Sequence, residues 1–238
     1  MSKKVAIVGF AGTRDMAPYD DPECEIWSVN NLYKFIPRTD RIFQLHSRLA
    51  LENEVHGVSS KEHLDFLRNT EIPVYMQEKY PDIPASVRYP LEEMVEEFGI
   101  PRTNDMQTKD AYFTNTISFM IALAIYEGFT DIYIYGVDMA VAIEYREQRP
   151  SCEYYIGIAK GRGINIYMPA ECDLLKSRFI YGYEDEKKHA FQLKLKKTIS
   201  EMQQRKLQCE HTIRDQQSVA DKYEGAVTAL LEMDKTWD

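Results

Sequence analysis

Residues Tyr112–Met139 read YFTNTISFMIALAIYEGFTDIYIYGVDM. Their order is loop, helix, turn, strand, loop, and each boundary has a physical cause. Thr114 or Asn115 can cap the helix, because either side chain accepts a bond from a free N–H of the first turn. Ile117, Met120, Ile121, Ala124 and Ile125 fall at i, i+3, i+4, i+7 and i+8, which makes one face apolar. Gly128 follows Glu127 where a left-handed C-cap ends a helix. Ile132–Tyr135 is short, β-branched and aromatic, the composition of a buried strand. It ends in Gly136-Val137-Asp138. An open α/β sheet binds ligands beyond the carboxyl ends of its strands, so Gly136 and Asp138 are site candidates.

Upstream, Lys4–Gly9 is a nearly all-apolar first strand, as expected for burial on both faces. Gly9-Phe10-Ala11-Gly12-Thr13-Arg14 follows at once. Glycines there let backbone approach a ligand, and successive N–H groups can cradle an anion. The spacing is not G-x-G-x-x-G, so the usual dinucleotide fingerprint is absent, and a plain strand-to-helix turn is the alternative. Ala17–Glu23 is a loop with two prolines. Glu25–Asn30 is the second strand, with Asn30 and Asn31 at its carboxyl end. Their amides suit a base or ribose, or simply a cap for Leu32–Phe35. Arg41–His46 is the third strand. His46 joins the same rim, where an imidazole can serve as acid, base or donor, or be structural. Ser60–Arg68, capped by Ser59 or Ser60, is a surface helix, and Pro73–Gln77 a fourth strand. Tyr80–Pro90 wraps the surface. Leu91–Phe98 is an acidic helix ended by Gly99 and Pro101. Arg102–Ala111 is polar and unpatterned, a mobile-loop candidate.

Downstream, Glu144–Tyr155 (EYREQRPSCEYY) mixes charge and aromatics just past the central strand. Arg149 is a fork for phosphate or carboxylate, and Glu144 and Glu153 are candidate acids, bases or ribose acceptors. An internal ion-pair cluster is the competing reading. Tyr155–Arg162 is helical, ended by Gly163, and Ile164–Met168 is the next strand. From Tyr183 the composition is strongly helix-forming, with a discontinuous apolar stripe through Leu193, Leu195, Ile199, Met202, Leu207, Ile213, Val219, Val227, Leu230 and Leu231. The polar stretch Gln208–Gln217 suggests a break, hence an antiparallel helical hairpin. The domains expected are 1–182, Rossmann-like, and 183–238, a helical or coiled-coil arm through which the chain forms a homo-oligomer.

The chain has 238 residues, 44% hydrophobic and 12% aromatic, which fits a folded protein rather than a disordered one. Its formal charge of −9 argues against broad contact with extended nucleic acid, though not against a local phosphate pocket. No apolar run is long enough to span a bilayer and the N-terminus lacks a signal-peptide core, so no membrane association and a cytoplasmic location are expected. Cys24, Cys152, Cys172 and Cys209 make no C-x-x-C pair, so no metal site is expected and the thiols are read as free.

The order of these pieces resembles the bacterial sialyltransferases of the GT-42 type and the related MAF/DUF115 proteins, over roughly Lys4–Tyr181. The carrying segments are Val5–Tyr33 (VAIVGFAGTR…EIWSVNNLY), Phe113–Asp138 and Gly163–Lys176 (GINIYMPAECDLLK). The resemblance implies a pocket for a cytidine nucleotide lined by Gly9, Asn31, Thr114, Thr116, Gly136 and Asp138. It also implies a general-base histidine in the stretch matching Tyr155–Gly161, but Ile158 stands there and no histidine is near. The GVDM and EYREQRP segments also resemble uncharacterised Rossmann-like proteins of tailed bacteriophages, which would place the chain in a host cytoplasm.

The expected fold is therefore α/β: a Rossmann-like, mostly parallel sheet flanked by helices, with a C-terminal α-helical hairpin. The expected ligand is a nucleotide or nucleotide-sugar, held among Gly9, Thr13, Arg14, Asn30, Asn31, Thr114, Asn115, Thr116, Gly136, Asp138 and Arg149. An enzyme of glycosyltransferase type would take its proton-transfer group from His46, Glu144 or Glu153. The alternatives are a nucleotide-binding protein without turnover and an interaction protein working through its helical arm.

Overall fold

A computed structural model describes residues 2–52, 61–102, 105–140, 144–177, 180–181 and 188–236. The strands are β1 (Lys4–Val8), β2 (Cys24–Val29), β3 (Arg41–Phe43), β4 (Val74–Met76), β5 (Ser86–Arg88), β6 (Ile100–Arg102), β7 (Asp105–Asp110), β8 (Asp131–Tyr135) and β9 (Asn165–Tyr167). The α-helices are α1 (Arg48–Glu52), α2 (Lys61–Asn69), α3 (Leu91–Phe98), α4 (Thr116–Tyr126), α5 (Arg149–Gly161) and α6 (Lys188–Thr236). Seven strands form one sheet in the order β5-β4-β3-β2-β1-β8-β9, and every pairing is parallel. β6 and β7 form a separate antiparallel pair.

Chain order explains the layout. From β1 the strands step outward to β5, and the chain then returns to the other side of β1 to lay down β8 and β9. The direction of winding reverses between β1 and β8, and the crevice beyond the carboxyl ends there is where such sheets take ligands. β1 is central: Val5, Ala6, Ile7 and Val8 are fully buried, as a strand covered on both faces requires. α4 packs on β1 and β2 and against α3 and α5. A smaller core of Ile42, Leu51, Leu64, Leu67, Val74, Met76 and Ile83 lies under α1 and α2.

One ion-pair cluster stands at the edge of this interior. Arg41 donates to both carboxylate oxygens of Glu127 at 2.8 and 2.9 Å and pairs with Glu25 at 2.9 Å. Its guanidinium lies over the Trp27 ring at 4.7 Å. The cluster ties β3 to the end of α4 and leaves each charge with a partner, the condition on which buried ions are tolerated.

The sheet, the flanking helices and Leu91–Phe98 agree with the sequence reading, and several boundaries do not. The C-terminal arm is one continuous 49-residue helix, α6, not a hairpin: Gln208–Gln217 is polar but contains no glycine or proline to break it. Residues 183–187, at the start of the expected arm, lie outside the described residues, as do Ser59 and Ser60. Arg102–Ala111 is not an unpatterned loop, since Ile100–Arg102 pairs with Asp105–Asp110. Tyr80–Pro90 contains β5, a three-residue edge strand too short for an alternation signal. Glu144–Tyr155 is helical: a π-helical turn at Glu144–Gln148 runs into α5, which starts at Arg149 with Pro150 in its first turn, where proline's missing N–H costs nothing. β3 stops at Phe43, so Gln44–His46 lies beyond its end.

The chain divides into two compact units, Met1–Leu175 and Lys176–Asp238. Among the described residues no helix is long and apolar enough to cross a membrane.

Candidate functional site

The two turns at the switch point hold each other. Gly9 N–H donates to the Tyr135 carbonyl at 2.9 Å, and Ala11 N–H to the Gly136 carbonyl at 2.8 Å. Gly136 has φ of 64°, a left-handed conformation that favours glycine. A Cβ on either glycine would be driven into the other's carbonyl oxygen. Thr13, buried, accepts the Gly136 N–H at 2.8 Å. Gly9 and Gly136 are thus required by close backbone approach, and Thr13 ties the two turns together.

Beside these turns stands an aromatic and cationic wall. Arg14 donates to the Phe10 carbonyl at 2.8 Å, and its guanidinium lies 5.7 Å from the Phe35 ring. Phe10 and Phe35 meet edge to face at 6.5 Å and are 43% and 56% exposed. Both follow carboxyl ends, of β1 and β2. Sequence reading passed over them; the available signal was a large aromatic inside a glycine turn.

Asn30 is held at φ of 50°, left-handed for a residue with a side chain. Its N–H donates to the Phe43 carbonyl at 2.9 Å, while its amide oxygen is buried and has no hydrogen-bond partner among the described residues. Asn31 begins the 3-10 turn Leu32–Phe35, yet its side chain makes no capping bond. The cap reading of this pair is therefore not what the structure uses. Asp138 follows β8 between buried Val137 and buried Met139, the latter at φ of 47°.

His46 belongs to a chain of polar groups. Tyr33 hydroxyl meets His63 Nδ1, His63 Nε2 meets Gln44 Oε1, and Gln44 Nε2 meets His46 Nδ1, each at 3.1 Å. With the amide set this way, His63 carries its proton on Nε2 and accepts from Tyr33. His46 accepts at Nδ1 from Gln44, so its neutral form carries its proton on Nε2. Burial, then the nearby Lys34 charge, lowers the His63 pKa to about 4.

The crossover helices α4 and α5 run back against the strands, so their N-termini reach the carboxyl rim. Asn115 caps α4 by accepting the Ser118 N–H at 3.0 Å. Its amide nitrogen donates to the Gln148 carbonyl at 2.8 Å and the Ser151 hydroxyl at 3.0 Å, and Thr114 meets Ser151 at 2.6 Å. Thr116 is the first residue of α4. These bonds clamp two helix starts together, and each start carries partial positive charge that favours an anion. Arg149, buried, donates to Glu153 at 2.6 Å and lies 5.0 Å from the Tyr145 ring. Glu153 also accepts the Leu175 N–H at 2.8 Å, so this carboxylate braces the segment after β9. Glu144 is exposed on the π-helical turn.

The structure thus sets Gly9, Thr13, Arg14, Asn30, Asn31, His46, Gly136 and Asp138 at carboxyl ends of the strands, and Thr114, Asn115, Thr116 and Arg149 at the two helix starts above them. Ile158, half-buried, packs against the core. Burial pushes the Cys24 thiol to about 11 and the Cys152 thiol to about 12, so neither supplies a thiolate nucleophile near neutral pH. None of the four cysteines is joined in a disulfide among the described residues. Two shallow concavities of about 300 Å3 lie elsewhere, one along the β9 edge at Lys160–Tyr167 and one between α3 and Lys109.

No protein-family model matches the sequence, and no curated protein matches it. Among solved structures the chain is similar to the sialyltransferase CstII from Campylobacter jejuni in complex with the substrate analogue CMP-3FNeuAc, with 13% identity over 70% of this chain and 80% of that one and a TM-score of 0.42. It is similar also to sialyltransferase CST-II in complex with trisaccharide acceptor and CMP, with 14% identity, the same coverage and a TM-score of 0.43.

Proposed function

We propose that this chain binds a nucleotide or nucleotide-sugar on the rim beyond β1, β2 and β8, and acts as a glycosyltransferase-like enzyme. The observation that carries the reading is Asn30. A side-chain amide whose oxygen is buried without a donor, on a backbone in the left-handed region, is costly twice over. Such strain persists where a ligand repays it, and the N–H edge of a base or a ribose hydroxyl would satisfy that oxygen. Phe10, Phe35 and Arg14 supply a face for ring stacking, and the paired starts of α4 and α5 supply the field for phosphate. Asn31 and Asp138 complete the polar lining.

For proton transfer His46 is the group that fits best. It stands at the rim with its tautomer set by Gln44, whereas Glu153 is engaged by Arg149 and the Leu175 N–H. The second reading, binding without turnover, is favoured by that same engagement of Glu153 together with Ile158 in place of the family histidine.

The decisive variant is Asn30→Gly. Glycine accepts the left-handed backbone at no steric cost, so stability should hold or rise by up to about 1 kcal/mol. Ligand affinity should fall roughly tenfold or more, as expected when a buried hydrogen bond is removed. Thermal shift with a panel of nucleoside monophosphates and nucleotide-sugars finds the ligand, since a hundredfold excess over Kd stabilises by about 2.7 kcal/mol. Asn31→Ala and Asp138→Ala should likewise lose the shift while keeping the fold. Unchanged binding in all three variants, or no shift with any ligand, sinks the assignment. Release of free nucleotide from a bound nucleotide-sugar separates enzyme from binding protein.

A further inference from the structure

The long helix α6 repeats every seven residues. Writing the heptad positions as a to g, position a holds Ile199, Lys206, Ile213, Ala220 and Val227, and position d holds Leu195, Met202, Cys209, Gln216, Tyr223 and Leu230. Nine of these eleven seam residues are apolar or thiol, and only Lys206 and Gln216 depart. Every described side chain from Lys194 to Lys235 is exposed except Glu210, which is half-buried. Ile199, Met202, Ile213, Tyr223, Val227 and Leu230 are 48% to 71% exposed. A 49-residue helix runs about 73 Å, and helices draw most of their stability from packing of an apolar face.

We propose that α6 pairs with α6 of a second copy of this chain as a parallel, in-register, two-stranded coiled coil over Leu195–Leu230. A seven-residue repeat sustained over five heptads keeps one seam facing a partner only if the helices supercoil around each other, which makes another helix the occupant. The choice of two strands follows from the seam: β-branched Ile199, Ile213 and Val227 at a with Leu195 and Leu230 at d is the pattern of parallel pairs. Register follows from charge. In a parallel pair, position g of one helix faces position e of the next heptad on the other, and Arg205 then meets Glu210 of the second copy, twice by symmetry. No other facing g–e pair carries two charges, so none repels. Lys206 at a weakens the seam but disfavours shifted or larger assemblies, as a single polar a residue does. Five heptads span about 52 Å, length enough for the roughly 800 Å2 per partner of a standard interface.

The test compares two exposed apolar residues of the same helix. Ile213 is at a, inside the seam, and Leu207 is at b, outside it. Light scattering on the full chain should give a dimer; Ile213→Asp should give a monomer with the near-ultraviolet circular dichroism of the sheet unit retained, and Leu207→Asp should remain a dimer. Direction is read with Leu195→Cys in a Cys209→Ser background. Oxidation by diamide removes one proton and one electron from each of two thiols, and should join the chains through position 195 only if the helices are parallel. A monomeric full chain, a trimer, equal effects of the two aspartates, or no cross-link at 195 overturns the proposal.

Discussion

Gly136 shows how a residue signal is seen before its reason is. At the end of a central strand it marks a ligand crevice on sequence grounds, and the crevice is there, but the glycine itself serves the backbone. Its φ of 64° and the Gly9 carbonyl beside it leave no room for a methyl group. Gly136→Ala should therefore cost about 3 kcal/mol or more, combining left-handed strain with a clash that only backbone movement relieves. Gly12→Ala meets open space and should cost well under 1 kcal/mol. Urea denaturation of both variants checks this; equal stabilities would mean that the two turns are not in contact. Asn30 is the converse case. Its place at a carboxyl end was legible, but its positive φ and orphaned amide oxygen were not, since both depend on how β3 receives its N–H.

At the scale of elements, what was legible followed local chemistry and what was missed followed pairing. The Asn115 cap, the apolar face of α4 and the left-handed Gly128 are written within a few residues of each other. β5 and the β6–β7 pair exist through partners distant in sequence, and their short stretches carry no period of their own. α5 was started six residues late because charged and aromatic residues masked Pro150 as a first-turn signal. α2 carries a consequence that no periodicity shows: it buries His63 completely, against Tyr33 and Gln44. The unfolded imidazole titrates at its ordinary 6.5 and the folded one near 4, lowered by burial and then by Lys34 and His46. Between those values the unfolded chain holds a proton that the folded chain refuses. Stability from this group is whole above 6.5 and is lost as pH falls toward 4, by about 2 kcal/mol on going from pH 7 to pH 5. Carboxylate effects fall at lower pH, because hydrogen bonds and neighbouring cations hold Asp21 and Asp82 below their ordinary 3.8. The His63→Gln variant should lose most of this pH dependence, read as urea midpoints at pH 7 and pH 5. A wild-type midpoint that is flat over that interval would show that His63 takes up its proton without unfolding α2.

At the scale of the whole molecule, the chain concentrates its core in one unit. Every buried residue of both hydrophobic clusters lies at or before Leu174, and the Glu153 brace closes on the Leu175 N–H. The helical unit, by contrast, exposes its apolar side chains along its described length. Folding and assembly are then separable. A chain ending at Leu175 should unfold in one cooperative transition, with a urea stability within about 1 kcal/mol of the sheet transition in the full chain, because among the described residues no buried side chain is removed. Its midpoint should not change with protein concentration, and any nucleotide-induced thermal shift of the full chain should survive the truncation with the same ligand preference. The full chain should show, in addition, a helical transition whose midpoint rises with concentration, as dissociation coupled to unfolding requires. Circular dichroism at 222 nm over a hundredfold range of concentration reads both. A truncated chain that aggregates or lacks a cooperative transition would mean that residues beyond Leu175 complete the fold of the sheet unit, and the two units would then have to be regarded as one.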